Sequence, residues 1–195
     1  MPRIFLALNF SVAVTRKIAE EIERKKQALA NAGFRIGWVP PANLHLTLRF
    51  VGSVGEELVE GIAGACRRVA ARHAPIEARA VGLGAFPGLE RPSVLWVGVT
   101  APPSLIALQA DLEAAMVELG CEPEARAYHP HVTAGRVKQG HGSAVELWTG
   151  EVDCGGSVLP EIIIYESKTR SAGAEYVARA RIPLGLTKPE TKEMR

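Results

Sequence analysis

The chain has 195 residues, of which 47% are hydrophobic and 23% charged, and its 23 basic and 21 acidic residues give a formal net charge of +2. These values are typical of a soluble globular protein with enough chain to bury a substantial core. Such a balanced charge excludes extended electrostatic binding along long nucleic acid, so any contact with nucleic acid should be limited to an end or a single nucleotide. No segment approaches the roughly 20 apolar residues that span a bilayer.

The cysteines and the first residues indicate the compartment. Cys66, Cys121 and Cys154 are widely spaced and form no CxxC pair, which argues against a zinc knuckle or a redox motif. An odd number of cysteines fits a reducing environment. The short apolar run at 4–10 is typical of a strand rather than of a signal peptide. We therefore expect a cytoplasmic, monomeric protein with no membrane contact.

The first part of the chain alternates between strand and helix patterns. Gly33 is placed to end the first helix, and Ser53 with Glu56 forms an S-x-x-E capping box that predicts the start of the second. The predicted elements, in chain order, are a strand at 3–10, a helix at 14–32, strands at 34–39 and 44–51, and a helix at 53–73.

The remaining chain is richer in strand patterns. We predict strands at 76–86, 94–99 and 126–137, a helix at 103–119, a short helix at 143–149, and a terminal hairpin of strands at 158–168 and 174–184. The segment 187–195 is charged and is expected to fray. This order predicts an α+β or mixed α/β fold, and no glycine-rich phosphate loop is present.

The clearest strand pattern is at 44–51. One face is wholly apolar and the other polar, because Leu44, Leu46, Leu48 and Phe50 alternate with His45, Thr47 and Arg49. Strict alternation places Arg49 on the face of His45 and Thr47, at the rim of any cleft that they line.

A His-x-Thr pattern occurs twice, nearly half the chain apart, as His45-Leu46-Thr47 and as His131-Val132-Thr133. In a strand, residues i and i+2 point to the same side, so each copy places an imidazole beside a hydroxyl with an aliphatic residue buried behind. Each copy lies in a predicted strand. The repetition predicts two similar halves that offer one pair each to a shared cleft.

Phosphoester cleavage without a metal requires this set of groups. A neutral imidazole takes a proton from the nucleophile and a protonated one donates a proton to the leaving oxygen, and histidine reaches both states near neutral pH. Threonine hydroxyls donate hydrogen bonds to the phosphate oxygens, where charge gathers. We therefore predict His45 and His131 as the catalytic pair and Thr47 and Thr133 as phosphate ligands.

The other histidines allow a second interpretation. A metal site is one alternative, because His129 shares a strand face with His131, but further ligands and a nearby acidic cluster are missing from the sequence. We expect no metal and no cofactor. His129 is interpreted as a structural or rim residue, and His73 and His141 as surface residues.

The residues resemble a known family along nearly the whole chain. Segments 43–52 and 128–133, the latter with Arg136, resemble the two motifs of the 2H phosphoesterases, and segments 3–8 and 165–176 resemble their first strand and last hairpin. Within that superfamily the chain is most similar to the bacterial and archaeal RNA 2′,3′-cyclic phosphodiesterases, historically called 2′-5′ RNA ligases.

The resemblance implies a bilobal α+β fold, in which two pseudo-symmetric lobes of antiparallel sheet with outer helices surround a central cleft. We expect residues 1–186 to form this single catalytic domain. The implied reaction is hydrolysis of RNA 3′ ends that carry a 2′,3′-cyclic phosphate, or of cyclic nucleotides, to a 2′-phosphate. His131 is assigned as the base and His45 as the acid, although the sequence does not separate the two roles.

Two alternatives stay open. The reverse reaction would join RNA or tRNA half-molecules through a 2′-5′ linkage, although water at about 55 M favours hydrolysis. A nucleotide-binding module without turnover is the other alternative, and the intact histidines and threonines argue against it.

Arg136 is a further candidate phosphate ligand. Strict alternation points it away from His131, so it reaches the phosphate only if the strand bulges, which the neighbouring Gly135 permits. Otherwise it is a solvated charge at a strand end. Base recognition needs an aromatic platform. The candidates, each equally compatible with a place in the core, are Phe86, Tyr128 and Trp38.

Overall fold

A computed structural model describes residues 1–140, 143–170 and 173–185. Its elements in chain order are β1 (Arg3–Leu8), α1 (Val12–Asn31), β2 (Arg35–Trp38), β3 (Leu46–Ser53), α2 (Glu56–Ala70), β4 (Ile76–Phe86), β5 (Val94–Val99), α3 (Pro103–Glu118), β6 (His131–Gln139), β7 (Asp153–Leu159), β8 (Glu161–Arg170) and β9 (Gly173–Pro183). Short 3-10 helices lie at Pro41–Asn43 and Ser143–Trp148. The predicted tail 187–195 and His141 lie outside the described residues.

Local signals explain most of the helix ends. The Ser11 side chain accepts a hydrogen bond from the Val14 amide at the start of α1, and Gly33, with a φ of +85°, follows its last turn. The predicted capping box of α2 is wrong. Ser53 is the last residue of β3, Gly55 is the N-cap, and Glu56 pairs instead with Arg179 of β9.

The described strands form one antiparallel sheet in the order β7-β4-β5-β6-β3-β1-β8-β9, and β2 pairs with β6. The two motif strands, β3 and β6, lie side by side at the centre. β1 lies outside β3, and β5 lies outside β6; the chain passes through α1 and β2 between β1 and β3, and through α3 between β5 and β6. This symmetric order confirms the predicted α+β fold with two pseudo-symmetric lobes.

The lobes do not correspond to the two halves of the sequence. One lobe combines β1 and β3 with the late strands β8 and β9, while the other contains β2 and β4–β7. The helices cross over: α1 follows β1 but packs against β7, and α3 follows β5 but packs against β3 and α2. Only the lobe of β1, β3, β8 and β9 joins both ends of the chain, but each lobe packs against a helix that follows a strand of the other lobe.

Two strand predictions are wrong in their bounds. The segment predicted as one strand at 158–168 is divided at Pro160 between β7 and β8, because proline donates no ladder hydrogen bond. The strand predicted from 126 begins only at His131, and the residues before it form a loop in which Tyr128 is half-buried and Pro130 buried. His73 is not a free surface residue, since its side chain is 12% exposed and hydrogen-bonds Asp111 of α3.

Trp148, in the second 3-10 helix, is fully buried, and its indole N–H donates to the carbonyls of Gly84 and Trp96. These hydrogen bonds connect the 3-10 helix to β4 and β5. Within the described ranges, no helix combines the length and apolar character needed to cross a membrane.

Candidate active site

The two His-x-Thr motifs meet where β3 and β6 pair. The pairing joins their middle residues, Leu46 and Val132, and both side chains are buried. Because neighbouring residues in a strand face opposite sides, the histidine and threonine of each motif project from the other face of the sheet. The antiparallel register sets Thr47 across from His131, and His45 across from Thr133. All four polar side chains therefore share one small area.

The two imidazoles are held in the same way. Nδ1 of His45 lies 2.7 Å from the Asn43 carbonyl oxygen, and Nδ1 of His131 lies 2.6 Å from that of His129. A carbonyl oxygen only accepts, so Nδ1 carries the hydrogen and donates in each case. In the neutral ring Nε2 is then the free base. Nε2 of His45 lies 3.1 Å from the Thr47 hydroxyl, which donates to it.

Both imidazoles are biased toward the neutral form. Burial lowers the pKa of His45 from its ordinary 6.5 to about 4; the hydrogen bond to Asn43 opposes this shift and the charge of His131 adds to it. Burial also lowers the pKa of His131, with smaller contributions from the charges of His129 and Arg136. The titration of His45 therefore depends on whether His131 is charged.

A β-bulge directly after Thr133 places Arg136 in the site. Thr133 pairs with Trp96 of β5, and Gly135 pairs with the adjacent Leu95. Ala134 is therefore the extra residue. This shift returns Arg136 to the cleft face, where it lines the cleft with His131 and Thr133. Gly135 is required here, because a Cβ would lie 2.7 Å from Cγ2 of Ile36 on β2.

An equivalent bulge follows Thr47. The partners of Thr47 and Arg49 on β1 are the consecutive residues Ala7 and Leu6, so Leu48 is the extra residue. The predicted alternation of this strand is therefore wrong beyond Thr47. Arg49 still borders the cleft, but its side chain is only 7% exposed and pairs with Glu113, whereas Phe50 is 51% exposed.

These residues border a cleft of about 640 Å³. The predicted site residues that line it are Thr47, Phe86, Tyr128, His131, Thr133 and Arg136. His45 is not in its lining and is connected to it by the hydroxyl of Thr47. Two further lining residues, Phe50 and Ser93, were not predicted from the sequence. Phe50 is turned to the cleft by the bulge after Thr47, which the sequence of β3 does not show.

The three candidate base platforms have different environments. The half-buried ring of Phe86 meets the His131 ring edge-on, with centroids 5.0 Å apart. The Tyr128 hydroxyl donates to the Thr47 carbonyl at 3.1 Å, and burial raises its pKa. Trp38 does not reach the cleft. It packs against buried Trp148, because its partner Gly135 faces the core side of the bulged strand.

Aromatic rings surround both histidines. The His45 ring lies 4.9 Å from Phe5 and 5.3 Å from Tyr176 between centroids, and Tyr165 extends this cluster. These rings supply the desolvation that lowers the pKa of His45. Their contribution comes from β1, β8 and β9, which are remote from the motif in sequence, so no local pattern could reveal it.

The surroundings of His129 do not favour a metal site. The exposed ring of His129 packs on Phe86 and Trp96, and its carbonyl oxygen accepts the hydrogen bond from His131. Over the described part of the chain, no three His, Cys, Asp or Glu side chains are grouped so as to hold a metal ion.

The fold and the paired motifs together define a two-histidine phosphoesterase. A family model described as the 2′-5′ RNA ligase superfamily matches residues 14–144, and the chain belongs to this superfamily. The chain is 33% identical, over 89% of its length and 94% of the relative's, to the RNA 2′,3′-cyclic phosphodiesterase of Methanothermobacter thermautotrophicus.

Solved structures agree with this assignment. The crystal structure of TT0787 of Thermus thermophilus matches with a TM-score of 0.81 at 25% identity, covering 93% of this chain and 97% of that one. The structure of E. coli LigT complexed with 3′-AMP matches with a TM-score of 0.72 at 25% identity, covering 94% and 98% of the two chains.

Proposed function

We propose that this protein is an RNA 2′,3′-cyclic phosphodiesterase that opens cyclic phosphate ends to 2′-phosphates without a metal. The observation that carries this proposal is the pairing of Leu46 with Val132, which brings two imidazoles and two hydroxyls to one face of the sheet. Its similarity to proteins named RNA 2′,3′-cyclic phosphodiesterase supports the same reaction.

The proposed reaction needs one group that accepts a proton and one that donates a proton. A water molecule attacks phosphorus and loses its proton to Nε2 of the neutral imidazole. The bond from phosphorus to O3′ breaks, and Nε2–H of the protonated imidazole donates its proton to that oxygen. The products are a 2′-phosphate and a free 3′-hydroxyl. Each proton transfer contributes roughly 10²–10⁴-fold in rate.

We assign the phosphate to Thr47, Thr133 and Arg136. Both hydroxyls project from the same face of the paired motifs, and Arg136 lines the same cleft. Hydrogen bonds and positive charge at the non-bridging oxygens stabilise the charge that gathers there in the transition state. When phosphate binds, the Thr47 hydroxyl exchanges its bond to His45 for one to the phosphate and frees Nε2 for proton transfer.

The assignment of His131 as base and His45 as acid stays a prediction. Burial favours neutral His45 in the free protein, which on population alone suits a base. The negative charge of a bound phosphate raises both pKa values, so proximity to the departing oxygen decides the roles. A substrate with sulfur in place of O3′ distinguishes the acid from the base, since a thiolate leaves without protonation. If His45 is the acid, this substrate should restore turnover to His45→Ala and not to His131→Ala.

The test of the reaction is incubation with 2′,3′-cyclic AMP and with RNA bearing a cyclic phosphate end, in excess chelator. We expect a 2′-phosphate product, undiminished by chelation. His45→Ala and His131→Ala should each lose most turnover while the fold is retained, and His73→Ala, at a histidine that does not line the cleft and pairs with Asp111, is the matched control. A 3′-phosphate product, or complete sensitivity to chelator, would overturn the mechanism.

Several wider features belong to the same proposal. We propose Phe86 as the platform for the base of the terminal nucleotide, with Tyr128 holding the first motif in place through its backbone. Residues 1–186 would act as one catalytic domain, monomeric and cytoplasmic. The reduced state of Cys66, Cys121 and Cys154 is compatible with that compartment.

A further inference from the structure

Phe50 is an aromatic ring held open to solvent on the wall of the cleft. It is 51% exposed, although a large aromatic side chain normally gains by burial. The bulges after the two motifs make it the counterpart of Arg136, since both residues lie three positions beyond the threonine and return to the cleft face. Phe50 and Arg136 therefore mark the two ends of the cleft along the motif strands.

The ring is supported on one side and free on the other. Its centroid lies 5.8 Å from that of Phe5, which itself packs on the His45 ring at 4.9 Å. The backbone beneath is fixed, because buried Arg49 donates a hydrogen bond to the Phe50 carbonyl at 2.7 Å. A supported ring with an open side can stack on any nucleobase, which is how proteins hold single-stranded RNA.

The position of the ring indicates which nucleotide it receives. Beyond Thr47, β3 runs beside the segment that leads into His131, so Phe50 and Phe86 approach the cleft from different lobes. With Phe86 taken by the terminal base, the next base along the RNA can use the second ring. We propose that Phe50 is the stacking platform for the penultimate nucleotide, an inference that rests on the proposed cyclic phosphodiesterase function.

The test compares 2′,3′-cyclic AMP with an adenosine dinucleotide that ends in a cyclic phosphate. Stacking of one base is lost in Phe50→Ala, so kcat/KM for the dinucleotide should fall about 5- to 100-fold while that for cyclic AMP stays within about twofold. Phe50→Leu should resemble Phe50→Ala, and Phe50→Trp should retain activity. Val158→Ala, which alters an equally exposed apolar side chain on β7, is the matched control.

The outcomes separate the two proposals. If wild-type protein hydrolyses neither substrate, the proposed function itself fails. Alternatively, the wild-type protein hydrolyses both substrates while Phe50→Ala lowers kcat/KM equally for the two, or for neither. In that case the cyclic phosphodiesterase proposal survives and the assignment of Phe50 is overturned.

Discussion

The buried imidazole of His45 should make the protein sensitive to mild acid. Its pKa is about 4 in the folded protein and 6.5 ordinarily, so between these values the unfolded chain binds a proton that the folded chain does not. The free energy of unfolding therefore falls as the pH drops through this window and levels off below it. At 1.36 kcal/mol per pKa unit, the cost from pH 7 to pH 4.5 is on the order of 2 kcal/mol.

Urea unfolding at pH 7 and pH 4.5 measures this cost in wild type and in His45→Gln, whose side chain does not titrate. Protonation of carboxylates in acid also lowers the free energy of unfolding, but it does so equally in both proteins, so its effect cancels in the comparison. We expect wild type to lose about 2 kcal/mol more than the variant. An equal loss in both proteins would show that His45 is not held neutral by burial, and the account of its aromatic surroundings would fail with it.

Three further expectations concern the same cleft. The pH profile of kcat/KM should be a bell with limbs near pH 4 and below pH 6.5, because the pKa values of His45 and His131 are both lowered; a rate that rises steadily to pH 9 contradicts the two-histidine scheme. Gly84→Ala should destabilise by about 1–3 kcal/mol in urea unfolding, since its Cβ would overlap the Trp96 indole, and an unchanged midpoint would refute that packing. Tyr128→Phe removes the bond to the first motif's threonine carbonyl, so stability should fall by about 1 kcal/mol and kcat with it, and unchanged values of both would refute the positioning role.

The repeated His-x-Thr motif was informative because strand geometry is local. Alternation alone puts His45 and Thr47 on one side and Leu46 on the other, and the burial of Leu46 and Val132 confirms it. The same reasoning failed beyond Thr47. A bulge is defined by the partner strand, so the burial of Arg49 and the exposure of Phe50 could not be predicted from β3 itself.

The position of Arg136 depends partly on the local sequence and partly on the pairing of its strand with a neighbour. The sequence offered a conditional prediction, that it would face the cleft if Gly135 accompanied a bulge, and the pairing with β5 satisfies that condition. For Trp38 the sequence showed only an aromatic residue in a predicted strand at 34–39. Its packing on Trp148 depends on a residue far along the chain, which no local pattern reports.

The near-neutral charge, the α+β order and the two His-x-Thr pairs follow from the sequence, because composition, propensity and alternation act over a few neighbouring residues. The tertiary structure decided which groups meet. The crossing of α1 and α3 between lobes and the contact of β3 with β6 turn two distant motifs into one cleft. The aromatic cluster that lowers the pKa of His45 is built the same way, from strands at both ends of the chain.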